Sequence, residues 1–244
     1  MRVLCIGNSF SQDATRYLHQ IARRGGVALN VSNLYIGGCP LARHFKNMHT
    51  GNAAYDLQFN GFSTGLSVSL EQMLLQNADW DYITVQQASH ESIDYKTYQP
   101  YLDELVAYIR ALCPKAKIVV HETWAYEDES VKLTEQMGYT KRGEMYADLH
   151  RAYTLAAEDI KADLVIPSGA VMEELAAAGI APHRDSFHAS LGVGRFALGL
   201  LWYAKLTGNG IDEIDGIDLD REETADTLAT ARACVKRVLA ATAE

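Results

Sequence analysis

The stretch RVLCIGNSFS, residues 2–11, decides the fold of this chain. Its apolar first half predicts one short buried strand, and the polar turn Gly7-Asn8-Ser9 follows it directly. Apolar residues then recur at helical spacing between Ala14 and Ala22, and the pair Gly25-Gly26 ends that helix. A buried strand that passes through a tight turn into a helix is typical of the first unit of an α/β sheet.

The same alternation of strand and helix continues along the chain. Four further apolar runs predict strands at 29–36, 82–85, 117–121 and 164–166. Helices are predicted at 70–75, 102–112, 145–160, 169–178, 190–206 and 222–241, and residues 37–65 are predicted to form a long irregular stretch. We therefore expect a three-layer α/β/α sandwich with a flavodoxin-like, five-stranded parallel sheet, in a single domain over residues 1–244.

Composition limits the classes of partner. The chain has 244 residues and a formal net charge of −9, which argues against nucleic acid and against an anionic membrane surface. No run reaches the ~20 apolar residues of a membrane span. Because the first strand begins at residue 2, no leader fits before it, and a cytoplasmic location is expected unless a leader was removed.

The cysteines indicate neither a metal centre nor a disulfide framework. Their spacings match no CxxC pair and no zinc motif. We therefore expect Cys5, Cys39, Cys113 and Cys234 to be buried free thiols. No metal or organic cofactor is expected.

Ser9 stands where an open α/β sheet places its functional residues, at the carboxyl end of a strand. The free backbone N–H groups at the start of the next helix favour developing negative charge, which suits a nucleophile whose attack creates an oxyanion. A helix N-cap explains a serine at this position equally well, because serine is a preferred capping residue.

A second polar cluster, Asp185-Ser186-Phe187-His188, precedes the last long helix. A serine nucleophile needs a neutral imidazole to accept its proton, and that imidazole needs a partner that fixes its tautomer. His188 and Asp185, three residues apart on one turn, fit these two roles. A solvated turn also produces D-x-x-H by chance, so the pattern becomes informative only together with Ser9.

Together these blocks resemble the SGNH (GDSL-like) hydrolase superfamily, and within it an uncharacterised branch with GNSFS, IGG, QQAS and TWAY segments. Residues 7–11 look like the nucleophile block, residues 36–39 like the second block, and residues 185–188 like the D-x-x-H block. The resemblance implies a serine ester hydrolase that forms an acyl-enzyme on Ser9. It also implies an oxyanion hole built from the backbone N–H groups of Ser9 and Gly38.

The third block departs from the superfamily pattern, which has an asparagine where this chain reads QQAS, residues 86–89. A glutamine amide offers the same two donors, so Gln87 is predicted to complete the oxyanion hole. Gln86 and Ser89 are alternatives for that role, and hydrogen bonding at the sheet end explains both glutamines without any catalytic role.

The segment HETWAY, residues 121–126, follows the fourth predicted strand. It begins like the zinc-protease motif HExxH, but alanine stands where the second histidine is required. Trp124 and Tyr126 are predicted to line the substrate cleft, with ordinary packing as the alternative.

The favoured substrate is a small-molecule ester with a short acyl group, acetyl on a carbohydrate being the leading case. A non-catalytic binding protein on the same fold is the alternative, motivated by the missing asparagine. A nucleotide-binding module has only the glycines at 192 and 194 in its favour. The sequence gives no prediction for the oligomeric state.

Overall fold

A computed structural model describes residues 1–76 and 79–242 of the chain. In this part of the chain, seven strands form one sheet in the order β4-β3-β2-β1-β5-β6-β7. The strands are β1 (Arg2–Gly7), β2 (Asn30–Tyr35), β3 (Tyr55–Phe59), β4 (Phe62–Val68), β5 (Tyr82–Val85), β6 (Lys117–Glu122) and β7 (Leu164–Pro167). The helices are α1 (Ser9–Thr15), α2 (Leu18–Arg24), α3 (Leu41–Thr50), α4 (Leu70–Gln76), α5 (Tyr101–Leu112), α6 (Arg142–Asp159), α7 (Ser168–Ala177), α8 (Val193–Thr207) and α9 (Ala225–Ala241).

The predicted fold class is confirmed. The strands β2, β1, β5, β6 and β7 are mutually parallel, and their order corresponds to 2-1-3-4-5, the flavodoxin-like arrangement. Each of the five predicted strands agrees with the structure to within one residue at either end. The first predicted helix is in fact two helices, because α1 ends at Thr15 and α2 begins at Leu18.

The prediction of an irregular stretch at residues 37–65 is wrong. Residues in this range form α3 and an antiparallel hairpin, β3–β4, which adds two strands to the sheet beyond β2. The hairpin turn is Asn60-Gly61, and both residues have positive φ, as the tight turns of hairpins require. The stretch looked irregular because β4 is almost wholly exposed and lacks a buried apolar face.

Burial explains why β1 and α8 dominate the core. Val3 to Ile6 are at most 1% exposed, since β1 is the central strand and helices cover both of its faces. Most of α8 is buried against α1, α2, α7 and α9. The four cysteines are buried and free, as predicted.

The topology fixes where a site can form. The carboxyl ends of β1, β2, β5 and β6 lie at one edge of the sheet, because these strands are parallel neighbours. Asn8, Ile36, Gln86 and Thr123 are the residues that leave the strands there. Among the helices described, none combines the length and the apolar character that crossing a bilayer requires.

Candidate active site

Ser9 is not the capping residue of α1. Asn8 holds that position: its backbone is extended and its side-chain Oδ1 accepts a hydrogen bond from the N–H of Phe10 at 3.0 Å. The N-cap alternative for Ser9 is therefore wrong, and Asn8 satisfies the helix end instead. Ser9 becomes the first residue of α1, and its hydroxyl is left to contact another part of the chain.

That hydroxyl meets the D-x-x-H segment. The Nε2 of His188 lies 2.9 Å from the Oγ of Ser9, and the Nδ1 of His188 lies 2.9 Å from the Oδ2 of Asp185. With the Nδ1 proton donated to Asp185, Nε2 is left to accept the proton of Ser9. The structure thus brings together Ser9, His188 and Asp185, which are almost 180 residues apart in sequence. They stand in the order that general-base catalysis needs.

The carboxylate of Asp185 is held by its own loop. Its Oδ1 accepts hydrogen bonds from the backbone N–H groups of Phe187 at 3.1 Å and His188 at 2.8 Å. Partial burial acts to raise the pKa of Asp185, but the hydrogen bonds from His188 and Phe187 outweigh it and hold that pKa below its ordinary value. Asp185 therefore remains an anion at neutral pH and can orient the imidazole.

A buried ion pair network ties this loop to α1. Asp13 is fully buried one turn after Ser9, and its carboxylate accepts from the backbone N–H of Ala189 at 3.1 Å. The guanidinium groups of Arg184 and Arg195 also bind it, at 2.7–3.0 Å. Because Arg184 donates to the carbonyl of Ala189 as well, the residue after His188 is fixed from both sides. The sequence analysis missed Asp13, although an aspartate among the buried positions of a helix was a detectable signal.

Trp124 lies behind the site and not in it. It is fully buried, its ring centroid is 4.3 Å from that of Phe10, and its Nε1 donates to the carbonyl of Phe187 at 2.8 Å. The prediction that Trp124 lines the cleft is therefore wrong. Trp124 instead holds the loop that carries His188, because its one polar group, the indole N–H, is bonded to that loop.

A cleft of about 650 Å³ opens beside Ser9. Gly38 lines it from the end of β2, and Tyr126 lines it from the segment after β6. These walls face each other across β1, because β2 and β6 lie on opposite sides of that strand. Gly38 has φ of +60° in a turn that the N–H of Cys39 closes on the carbonyl of Ile36.

Gln87 does not reach the cleft. Its Nε2 donates to the backbone and side-chain oxygens of Thr97 at 3.0 and 3.1 Å, and its Oε1 accepts from the N–H groups of Leu41 and Ala88. Both donors of the amide are used elsewhere and the side chain is fully buried, so the prediction of Gln87 as an oxyanion donor is wrong. Ser89, an alternative for that role, lines the cleft, and its hydroxyl lies 2.9 Å from the hydroxyl of Tyr126.

The buried side chain of Gln86 connects the Ser9 turn to His121. Its Nε2 donates to the Oδ1 of Asn8 at 2.9 Å, and its Oε1 lies 2.9 Å from the Nδ1 of His121. Burial lowers the pKa of His121 to about 3, so the ring is neutral and donates its Nδ1 proton to Gln86. Asn8 in turn donates to the carbonyl of Cys39 at 3.3 Å, which connects the Ser9 turn to the Gly38 turn.

Nothing in the site has the arrangement of a metal centre. Within residues 1–76 and 79–242, no group of three or more histidine, cysteine, aspartate or glutamate side chains is placed to hold a metal ion.

Comparison with known proteins places the chain in a family. The sequence profile described as "Domain of unknown function (DUF4886)" matches residues 2–233. The crystal structure of a DUF4886 family protein from Bacteroides uniformis is 30% identical, with a TM-score of 0.89, over 98% of this chain and 95% of that one. No curated protein matches the sequence.

More distant structures share the fold. A candidate SGNH hydrolase from Slackia heliotrinireducens is 24% identical with a TM-score of 0.61, over 84% of this chain and 98% of that one. A candidate GDSL-like lipase from Parabacteroides merdae is 15% identical with a TM-score of 0.55, over 85% of this chain and 95% of that one. The fold of this chain is therefore that of SGNH and GDSL-like hydrolases.

We expect Asp13→Ala to lower the free energy of unfolding by about 3–5 kcal/mol, because it leaves two partly buried guanidinium groups without their shared carboxylate. Asp215→Ala is the matched control, since it removes an exposed carboxylate that binds Arg232. The control should change stability by no more than about 1 kcal/mol. Urea unfolding followed by circular dichroism measures both, and equal effects would show that Asp13 holds nothing together.

Proposed function

This chain belongs to the DUF4886 family, and we propose that it is a serine ester hydrolase that works through a covalent acyl-enzyme on Ser9. One observation carries the proposal: the hydrogen bonds that run from Asp185 through His188 to the Oγ of Ser9, at the mouth of a cleft. A binding protein on the same fold needs no such path for a proton. Hydrolysis therefore accounts for the arrangement better than the binding alternative.

In the proposed mechanism, the Nε2 of His188 takes the proton of Ser9 as its Oγ attacks the ester carbonyl. The carbonyl oxygen becomes an oxyanion, which the backbone N–H groups of Ser9 and Gly38 stabilise. His188 then gives the proton to the departing alcohol, and the C–O bond of the ester breaks. A water molecule, deprotonated by His188, then attacks the acyl carbon; the bond from that carbon to the Oγ of Ser9 breaks, His188 returns the proton to Ser9, and the carboxylic acid is released.

The third oxyanion donor in this proposal is the hydroxyl of Ser89. Burial raises the pKa of Tyr126, against a smaller opposite effect of its hydrogen bond with Ser89, so the phenol keeps its proton at neutral pH. When Tyr126 donates that proton to the Oγ of Ser89, at 2.9 Å, the hydroxyl proton of Ser89 is directed elsewhere. Since Ser89 lines the cleft, an oxyanion there is the acceptor we assign to it.

The substrate class extends the proposal by analogy with the superfamily. We assign a small acyl group, with acetylated carbohydrate as the leading case. Of the two aromatic residues considered for contact with a sugar ring, Tyr126 lines the cleft and Trp124 does not.

Ser9→Ala and His188→Ala should each lower kcat on p-nitrophenyl acetate by about 10⁶-fold, and the double variant should be little worse, because the two side chains act as one unit. Asp185→Ala should lower kcat less, since Asp185 orients the imidazole and does not react. Ser67→Ala, on the exposed edge strand, is the control and should behave like the wild type. Losses from Ser9 and His188 that multiply would contradict a shared mechanism.

Ser89→Ala should lower kcat by about 10²–10³-fold with little change in KM, because the oxyanion exists only along the reaction path. Tyr126→Phe should lower kcat less, since it removes only the partner of the Ser89 hydroxyl. Steady-state kinetics on p-nitrophenyl acetate separates the two constants. If Ser89→Ala keeps wild-type turnover, the oxyanion hole consists of backbone amides alone.

Activity on the acetyl ester should exceed activity on p-nitrophenyl esters of ten or more carbons. A chain-length series at subsaturating concentration gives kcat/KM for each ester, with acetylated sugars assayed in parallel for released acetate. A maximum at long chains would replace the acetylesterase assignment with a lipase or thioesterase. Absence of saturable hydrolysis across the whole series would favour the binding alternative.

A further inference from the structure

The cleft beside Ser9 has a charge composition unlike that of the whole chain. The chain has 31 aspartate and glutamate residues against 22 lysine and arginine residues. Among the described residues that line the cleft, none carries a carboxylate, and Lys132 is the one with a permanent positive charge. His90 also lines the cleft, but its Nε2 pairs with the carboxylate of Glu91 at 3.7 Å. Lys132 therefore dominates the charge that a bound substrate meets.

No carboxylate neutralises Lys132. In residues 1–76 and 79–242, none has an oxygen within 4.0 Å of its Nζ, although Glu129 and Glu135 are near it in sequence. Its ammonium group instead lies over the ring of Phe187, 4.3 Å from the ring centroid. Such a contact positions a cation without cancelling its charge, so the ammonium group remains available to an anion.

The position of Lys132 is fixed by its neighbours. Leu133 is fully buried, and the carbonyl of Lys132 accepts from the N–H of Met137 at 3.0 Å, which closes a single π-helical turn. The same turn brings Gln136 to the cleft, where its amide can donate a second hydrogen bond to a ligand.

Lys132 and His188 share Phe187 as a neighbour. The ring centroid of Phe187 is 3.9 Å from that of His188, and the ammonium group of Lys132 lies 4.3 Å from the same Phe187 centroid. His188 protonates the leaving oxygen, and the departing alcohol must therefore extend past His188 and Phe187. In the proposed mechanism the acyl oxygen instead lies against the backbone N–H of Gly38, which lines the cleft from the end of β2.

We propose that Lys132 selects esters whose alcohol part carries a negatively charged group such as a carboxylate. This inference rests on the proposed esterase function and adds the charge class of its substrate. Because the anion sits away from the reacting carbonyl, it contacts Lys132 equally in the ground state and the transition state. The preference should therefore reside mainly in KM.

Three acetyl esters of similar size test the proposal: 4-acetoxybenzoate, which is an anion, 4-acetoxybenzamide, which is neutral, and 4-acetoxybenzyltrimethylammonium, which is a cation. The wild type should hydrolyse the anionic ester with a kcat/KM about tenfold above that of the neutral ester. Lys132→Gln should remove this preference, so that the anionic and the neutral ester are hydrolysed with equal kcat/KM. Lys132→Glu should favour the cationic ester.

Lys115→Gln is the matched control, because it removes an exposed lysine far from the cleft and should keep the wild-type preference. Adding 0.5 M sodium chloride should weaken the preference of the wild type, as a partly exposed ion pair requires. Thermal melts of each variant verify that it is folded.

The outcomes separate the two proposals. If the wild type hydrolyses all three esters equally, or if Lys132→Gln lowers all three alike, the charge selection is wrong while the esterase function stands. If the wild type hydrolyses none of the three esters, the proposed function fails and the selection fails with it.

Discussion

The buried carboxylate of Asp13 is the contact on which the site depends. It lies one turn after Ser9 in α1, and it binds the backbone N–H of Ala189, the residue after His188. Burying a carboxylate without partners costs several kcal/mol, and the guanidinium groups of Arg184 and Arg195 offset this cost by binding it. These ion pairs also hold the loop of residues 184–189 against α1. They therefore set the distance from Ser9 to His188.

The polar side chains of Asn8 and Gln86, next to the Ser9 turn, have hydrogen-bond partners other than the Ser9 hydroxyl. Asn8 caps α1, and Gln86 fixes the orientation of the Asn8 amide. Because His121 is buried and neutral, it donates to Gln86 and completes a chain of hydrogen bonds that lies beneath the cleft. These hydrogen bonds hold the Asn8 and Gln86 amides in one orientation, although the Nε2 of His121 is buried without a partner among the described residues.

The sequence predicted those parts of the molecule that depend on periodicity and topology. The five parallel strands follow from apolar runs, and the meeting of Ser9 with Asp185 and His188 follows from the rule that strand ends converge. The choice among Gln86, Gln87 and Ser89 could not be predicted, because β5 ends at Val85 and the alternation of side chains ends with it. Which side chains are buried after the end of a strand depends on contacts with distant segments of the chain. These contacts cannot be inferred from the residue types at positions 86–89.

The overall negative charge and the lysine in the cleft act over different distances. At physiological ionic strength, charges on the outer surface are screened beyond about 8 Å, so the net charge of −9 has little effect on a ligand already in the cleft. Inside the cleft, Lys132 and His188 both lie against the ring of Phe187. Because an anionic group on the substrate would contact Lys132 and not the reacting carbonyl, this charge acts on substrate binding. Such a substrate would therefore bind at this lysine in spite of the net negative charge of the chain.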